Sequence, residues 1–161
     1  MRTRTAWAIL VLVVVVTVIV ITLMRFNLTA LQEPGRLETF VANRATRFII
    51  HRASRQGPPR RPLDTTTSIA SGGTLYGSDC SLCHGSDGRA QTPVGRWMYP
   101  RAADLTSEQV QGYSDPELFW IIQNGIRFTG MPAFGKVESG DHIWDLVNYV
   151  RTLRSAQDAT K

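Results

Sequence analysis

The sequence predicts an all-α chain in which a single N-terminal transmembrane helix and an amphipathic linker helix precede a small helical domain. An uncharged apolar run of nineteen residues near the N-terminus predicts the first helix, and apolar residues at helical spacing after it predict the second. Another apolar stripe near the C-terminus predicts the closing helix of the domain. We therefore divide the chain into an anchor over 1–30, a basic linker over 31–63 and a domain over 64–161.

The apolar run, Ala6–Met24, is dominated by Val, Ile and Leu. At 1.5 Å per residue it spans roughly 28 Å, close to the thickness of the hydrocarbon layer. A cleaved signal peptide has a shorter apolar region and a small-residue cleavage site, which Leu28-Thr29-Ala30 matches poorly. An uncleaved anchor is the preferred interpretation. The basic charges on its two flanks nearly balance, so they do not decide its orientation.

The net charge of +5 combines two regions of opposite sign. Residues 1–63 hold ten Arg and two Glu, a net charge of +8, whereas residues 64–161 hold eight Lys or Arg and eleven Asp or Glu, a net charge of −3. The Arg residues of the basic region are not interleaved with stacking aromatic residues, so no nucleic-acid partner is predicted. Contact with anionic lipid or with a partner protein is the simpler interpretation.

The linker begins with a turn at Glu33-Pro34-Gly35 and continues as a predicted amphipathic helix, Leu37–Ala53. Two interpretations stay open: a helix bound to lipid or a partner subunit through 36–61, and a stiff solvated spacer. Gln56–Pro62 predicts a semi-rigid, proline-rich tether. His51 is interpreted as a surface residue. The apolar stripe of the helix consists of Leu37, Phe40, Val41, Ala45 and Phe48.

Both cysteines of the chain belong to a Cys-X-X-Cys-His sequence formed by Cys80, Cys83 and His84. A reactive dithiol of thioredoxin type would need a βαβ context, and a zinc site would need further ligands at metal spacing. The sequence offers neither. Two thiols on one helical turn can instead add to the two vinyl groups of a haem, and the following histidine can bind the iron. The spacing predicts one haem c, covalently attached through Cys80 and Cys83, with His84 as proximal ligand.

A second axial ligand, Met131, is predicted 47 residues beyond His84. It lies between a glycine and a proline that favour a loop, so its thioether can point inward without helical constraints. Met/His ligation raises the reduction potential of haem iron. Met98 and His142 are the competing ligands. We interpret Met98 as a packing residue beside two aromatic residues, and His142 as a surface residue in the first turn of a helix.

With these motifs in this order, the sequence resembles a class I monohaem cytochrome c of the membrane-anchored bacterial type, similar to small modules of respiratory complexes. The resemblance covers about Thr67–Arg154 and implies an all-α domain wrapped around haem. It is carried by Gly72, Tyr76, Cys80, Cys83, His84, Gly85, and the stretches 103–106, 114–118, 124–126, 129–134 and 143–153.

In this family the first helix of the domain crosses the last at a close contact. The resemblance places Gly72 and Tyr76 on the first helix and makes Leu146 and Tyr149 their partners on the last. The apolar periodicity of the last helix agrees, because one stripe contains Ile143, Trp144, Val147 and Val150.

The resemblance also implies roles around the haem. A proline carbonyl, from Pro93 or Pro100, would hold the second ring nitrogen of the proximal histidine. Donors from Trp97, Tyr99 and Arg101 would reach the haem propionates. A helix and loop that either line the haem pocket or belong to the plain core contain Trp120, Ile121 and Ile126.

Because protein fills both axial positions of the predicted site, outer-sphere transfer of single electrons is favoured over catalysis. The predicted function is an anchored electron carrier between membrane redox complexes, or a subunit of a larger respiratory or photosynthetic complex. The family attaches haem outside the cytoplasmic membrane, which implies a cytoplasmic N-terminus and a periplasmic haem domain. The alternatives are a haem-based gas sensor in which Met131 is displaceable, and a structural or assembly subunit of a membrane complex.

Overall fold

The computed structural model describes residues 2–25, 29–55 and 66–158, which contain helices joined by turns and loops and no β-strand. The tether Gln56–Pro62 and the boundary between linker and domain lie outside the described residues. The predicted all-α class is confirmed. In chain order the elements are α1 (Arg2–Arg25), α2 (Arg36–Ser54), α3 (Thr66–Asp79), α4 (Ser81–His84), α5 (Pro93–Trp97), α6 (Glu108–Gln111), α7 (Asp115–Asn124), a 3₁₀ turn (Phe134–Lys136) and α8 (Gly140–Asp158).

The first helix contains one segment, Arg4–Thr22, that is long and apolar enough to cross a membrane, and no other described helix meets that test. All side chains of this segment are exposed. A signal sequence near an N-terminus would meet the same test. The predicted helix is therefore present.

The centre of the domain is the crossing of α3 and α8. A Cβ atom on Gly72 would lie 2.0 Å from the backbone oxygen of Asp145, so the two helices touch at a point where only glycine fits. The rings of Tyr76 and Tyr149 pack beside this point with centroids 5.0 Å apart. Leu146 is fully buried in the same cluster. The crossing has the partners that the family resemblance implied.

The apolar stripe of α8 also packs against α7. The rings of Phe119 and Trp144 lie 4.6 Å apart at their centroids. All four residues of the predicted stripe are buried in one hydrophobic cluster, which confirms the periodicity as a core-facing pattern.

Polar contacts fix the start of α7 against α8. The Ser114 N–H and hydroxyl donate to the Glu117 carboxylate at 2.7 and 2.8 Å, which caps the first turn. From α8, the Arg151 guanidinium donates to the Asp115 carboxylate at 2.9 Å and to the Tyr113 carbonyl at 2.5 Å. These bonds hold the segment before α7 in one position, and this segment forms the surface that α2 contacts.

The linker helix α2 packs on the domain, mainly against α7. Arg47 donates to the Gly112 carbonyl at 3.0 Å and lies over the Tyr113 ring, 5.0 Å from its centroid. The His51 Nδ1 lies 3.0 Å from the Glu117 carboxylate, and Ile50 is fully buried. We call this interface the α2 contact. It corrects the interpretation of α2 as a solvated spacer, and it shows that His51, although exposed, has a partner in the domain.

The predicted helix over Leu37–Ala53 is confirmed, but its apolar stripe does not face the domain. Leu37, Val41 and Phe48 remain 76%, 56% and 68% exposed, whereas Ile50 and Ser54 are buried. The sequence analysis assigned no side of this helix to the domain. Hydrogen-bonding contacts of Arg47 and His51, together with the buried Ile50, position the helix there and leave the apolar stripe exposed.

The α2 contact should weaken in acid. Burial would raise the pKa of Glu117, but hydrogen bonds from Ser114 and His51 outweigh it and hold that pKa below its ordinary 4.5. A depressed carboxylate pKa contributes stability above the ordinary value, and this contribution is lost as pH falls through the lower folded value. Glu117→Gln should lower the free energy of unfolding at pH 7 by roughly 1–2 kcal/mol and should reduce the loss between pH 5 and pH 3. Chemical denaturation across pH measures both effects.

A matched control is Glu138→Gln, which breaks the pair of Glu138 with the half-exposed His142. This surface pair should contribute less than about 0.5 kcal/mol. Equal acid sensitivity in wild type and Glu117→Gln would show that the buried carboxylate does not stabilise the docked helix.

Candidate functional site

The predicted attachment site lies at the junction of α3 and α4. The chain leaves α3 at Asp79 and turns at Cys80, whose carbonyl accepts bonds from the N–H groups of Cys83 and His84 at 3.1 and 2.9 Å. One helical turn therefore carries both thiols and the imidazole. Gly85 ends this turn with φ = 77°, a conformation that glycine adopts without strain.

The two thiols are free, and both are half-buried. Burial raises the pKa of Cys80 to about 12, with smaller contributions from the neighbouring Asp79 and Cys83. A reactive redox dithiol needs a thiolate with a lowered pKa. The raised pKa therefore argues against the thioredoxin-type interpretation. Among the described residues, no group of three His, Cys, Asp or Glu side chains is placed to hold a metal ion such as zinc.

His84 is oriented by a backbone carbonyl. Its Nδ1 lies 2.9 Å from the Ala103 oxygen, so Nδ1–H donates and Nε2 keeps its lone pair. Burial lowers the pKa of His84, and the bond to Ala103 only partly opposes this shift. A neutral imidazole with a fixed tautomer is the form that binds iron.

The carbonyl that holds His84 was predicted to belong to Pro93 or Pro100, and this prediction was wrong. Two backbone hydrogen bonds place Ala103 beside the imidazole instead. The Ala102 N–H donates to the Gly95 carbonyl at 2.9 Å, and the Leu105 N–H donates to the Gly88 carbonyl at 2.8 Å. They hold the extended segment between α5 and α6 along the histidine. Ala103 belongs to the 103–106 stretch that carried part of the family resemblance, so the sequence contained a signal for it.

Two residues that sequence reasoning missed brace the other side of the attachment turn. The Thr92 hydroxyl donates to the Cys83 carbonyl at 3.1 Å and accepts from Gly95 N–H at 2.9 Å. A Cβ atom on Gly95 would lie 2.2 Å from the Cys83 oxygen. The short helix α5 can therefore press against the attachment turn only because position 95 is glycine.

Met131 lies in a loop that is held by its own backbone. Gly125 adopts φ = 65°, and a Cβ atom there would lie 2.7 Å from the Met131 oxygen. The Thr129 hydroxyl donates to the Ile126 carbonyl at 2.7 Å and accepts from Met131 N–H at 3.2 Å. The methionine is half-buried and packs against the hydrophobic cluster, as does Ile121 of the predicted pocket lining.

The competing ligands have other partners. A Cβ atom on Gly130 would lie 2.7 Å from the Met98 sulfur, so Met98 packs on the loop that carries Met131. This contact also brings the end of α5 to the Met131 loop, and it thereby joins the two halves of the candidate site. His142 is exposed and lies 2.7 Å from the Glu138 carboxylate, which agrees with its interpretation as a surface residue.

The predicted propionate donors follow α5. Trp97 is 76% exposed. The Tyr99 hydroxyl donates to the Glu38 carboxylate at 2.5 Å, and the Arg101 guanidinium pairs with Glu33. These two donors therefore bind carboxylates of the linker. A role of Trp97, Tyr99, Pro100 and Arg101 toward haem stays a prediction.

The donor set fits a covalently bound haem. It supplies two free thiols on one turn, an imidazole whose second nitrogen is held by a carbonyl, and a thioether on a braced loop. These are the groups that c-type attachment and His/Met ligation need.

This fold and donor set are those of a c-type cytochrome. Residues 67–150, about half of the 161-residue chain, match the family model described as "Cytochrome C oxidase, cbb3-type, subunit III", and the chain belongs to this family. The family implies haem c as the cofactor and electron transfer as the kind of function.

A solved structure that the chain resembles is the Kuenenia stuttgartiensis reducing HAO-like protein complex Kustc0457/Kustc0458, with 30% identity and a TM-score of 0.53. The match covers 60% of this chain and 47% of that chain, so this chain spans about half the length of its relative. No protein of curated function matches the chain.

Proposed function

We propose that this protein is a membrane-anchored monohaem cytochrome c that transfers single electrons between redox proteins on the periplasmic side of the cytoplasmic membrane. The observation that carries the proposal is the bond between His84 Nδ1 and the Ala103 carbonyl, on the same turn as two free thiols. This arrangement fixes an imidazole beside both attachment groups with Nε2 available to a metal.

When bound, the haem supplies a one-electron iron couple. Cys80 and Cys83 would hold it covalently, and the His84 imidazole and the Met131 thioether would bind its iron. Because these two side chains would leave no iron position to an exogenous ligand, the protein would act by burying and orienting the cofactor rather than by binding a substrate. The braced loop around Met131 limits movement of the thioether, which favours electron transfer over the gas-sensor alternative.

Hydrogen bonds of polar side chains within α1 support the anchor. The hydroxyls of Thr17 and Thr22 donate to the carbonyls of Val13 and Val18, each at 2.8 Å. A helix in lipid must satisfy its polar side chains internally in this way. We infer that 1–30 forms an uncleaved anchor with a cytoplasmic N-terminus, that 31–63 is the linker, and that 64–161 is the haem domain. The periplasmic side follows from where the family attaches haem.

The redox partners are proposed to be membrane proteins. A fixed place within a larger complex agrees with the related solved structure and with the family model. The related solved structure is a protein complex by its title. The family model describes a subunit of an oxidase. We therefore propose that this protein is a subunit of a membrane complex, in preference to a freely mobile carrier.

Haem staining after denaturing electrophoresis tests the attachment. The full chain, made in a host that assembles c-type cytochromes, should retain haem, whereas Cys80→Ser with Cys83→Ser should lose it. The wild type should be reduced and reoxidised reversibly, and the reduced form should not bind carbon monoxide. Loss of haem from the denatured wild type would contradict covalent attachment, and rapid carbon monoxide binding would favour the gas sensor.

A further inference from the structure

The exposed face of α2 combines apolar and basic side chains. At about 100° per residue, Leu37, Val41 and Phe48 lie within about 40° of one another around the helix. All three are exposed, whereas the side of the helix that carries Arg47 and Ile50 is packed on the haem domain. Arg44 and Arg52 are exposed alongside them. We call these five residues the outer face of α2.

The two acidic groups of the linker bond to the haem domain. The chain has only two carboxylate side chains in residues 1–63, Glu33 and Glu38. Glu33 pairs with Arg101, and Glu38 accepts the Tyr99 hydroxyl at 2.5 Å. Both acidic groups of the linker are therefore engaged by the haem domain, and every other charged side chain of α2 is basic.

The position of α2 in the chain selects its partner. Ten residues separate the end of α1 at Arg25 from the start of α2 at Arg36. A chain of that length spans at most about 40 Å, so an anchored α1 keeps the start of α2 near the membrane. A helix with an apolar stripe and flanking arginines lies in the interface of anionic membranes, because arginine stems extend along apolar surface while their charged ends reach lipid phosphates.

We propose that the outer face of α2 binds the anionic lipid surface, while the side that carries Arg47 and Ile50 holds the haem domain. This proposal rests on the anchor proposed above. Together the two faces make α2 a spacer that fixes the orientation of the haem domain relative to the membrane, instead of a tether that lets the domain swing. The lipid site consists of three apolar side chains that enter the headgroup layer and two arginines that contact phosphates.

Collision measurements on nitroxide labels test the contact. Single cysteines at Val41, Phe48, Thr17 or Lys136 of the full-length haem-loaded protein are labelled and reconstituted in vesicles. One set of vesicles contains phosphatidylcholine with phosphatidylglycerol, and the other set contains phosphatidylcholine alone. Wild type should take up no label, because thioether bonds occupy Cys80 and Cys83. In anionic vesicles, the labels at 41 and 48 should collide several-fold more with oxygen than with a water-soluble nickel chelate. The label at 17 should show this preference for oxygen in both kinds of vesicle.

The label at Lys136, an exposed site on the haem domain, should show the opposite preference in both vesicles. Arg44→Gln with Arg52→Gln should reduce the lipid signal at position 48. Arg89→Gln with Arg127→Gln removes the same charge from the haem domain and should leave that signal unchanged. These matched pairs separate a local arginine–lipid contact from a general effect of net charge.

The remaining outcomes overturn the proposal in distinguishable ways. Water-exposed labels at 41 and 48 beside a lipid-exposed label at 17 would remove the α2–lipid contact while keeping the anchor. A water-exposed label at 17 would remove the anchor itself. Low collision with both reagents at 41 and 48 would mean that protein covers this face, either a second copy or another subunit.

Discussion

Replacing Met131 with alanine should leave the haem covalently attached and shift its midpoint potential to a much lower value. Attachment needs only the thiols and histidine of one helical turn, whereas the thioether stabilises reduced iron relative to stronger donors. Axial ligands set haem potentials over a range of roughly 0.8 V, so loss of Met131 should lower the midpoint potential by a sizeable fraction of that range. The vacated position should also bind carbon monoxide. Potentiometric titration and carbon monoxide difference spectra measure both effects.

Met98→Leu is the matched control for this experiment. Met98 packs on the Met131 loop through Gly130, and leucine keeps most of its apolar volume. The variant should leave the potential within a few tens of millivolts of wild type, a small part of the range that axial ligation spans. If Met98→Leu lowered the potential and Met131→Ala did not, Met98 would be the ligand, and the predicted assignment would be reversed.

Replacing Gly72 with alanine should cause the largest loss of stability of any single methyl addition in the domain core. The new Cβ would lie 2.0 Å from the Asp145 oxygen and 2.6 Å from its carbonyl carbon. Backbone atoms cannot rotate away as the end of a flexible side chain can, so α3 and α8 must separate. Tyr76 and Tyr149 would then lose their contact. The expected decrease in the free energy of unfolding is about 3 kcal/mol, measured by chemical denaturation.

Gly77→Ala provides a control on the same helix. A Cβ atom at Gly77 would meet no atom within 4 Å, so only the higher helix propensity of alanine remains. This variant should be neutral or more stable by up to about 1 kcal/mol. Equal effects at the two glycines would mean that backbone entropy, rather than the helix crossing, explains the result.

The local features of this protein could be predicted from sequence because they depend on neighbouring residues. The attachment turn needs only the spacing of Cys80, Cys83 and His84, and the structure places all three on one turn. The apolar stripe of α8 identified buried residues because the apolar side of a helix within a packed domain faces the core. The helical state of α1 followed from its uncharged apolar run, and that of α2 followed from apolar residues at helical spacing.

The sequence did not determine which groups meet across long distances in the chain. The partner of His84 is Ala103 rather than a proline, because backbone bonds to Gly88 and Gly95 position the intervening segment. No periodicity contains that information. The resemblance pointed to the correct stretch of chain but to the wrong carbonyl.

The linker helix shows the same division most clearly. Its periodicity predicted an amphipathic helix, and it forms one, but the apolar stripe faces outward. Arg47 and His51 find acceptors at Gly112 and Glu117, residues 65 and 66 positions away. Those acceptors are in place because Arg151 and the cap at Ser114 hold the start of α7. The sequence alone therefore determined the long helices and the attachment turn. The tertiary structure decided their partners, because long-range hydrogen bonds depend on where folded segments meet.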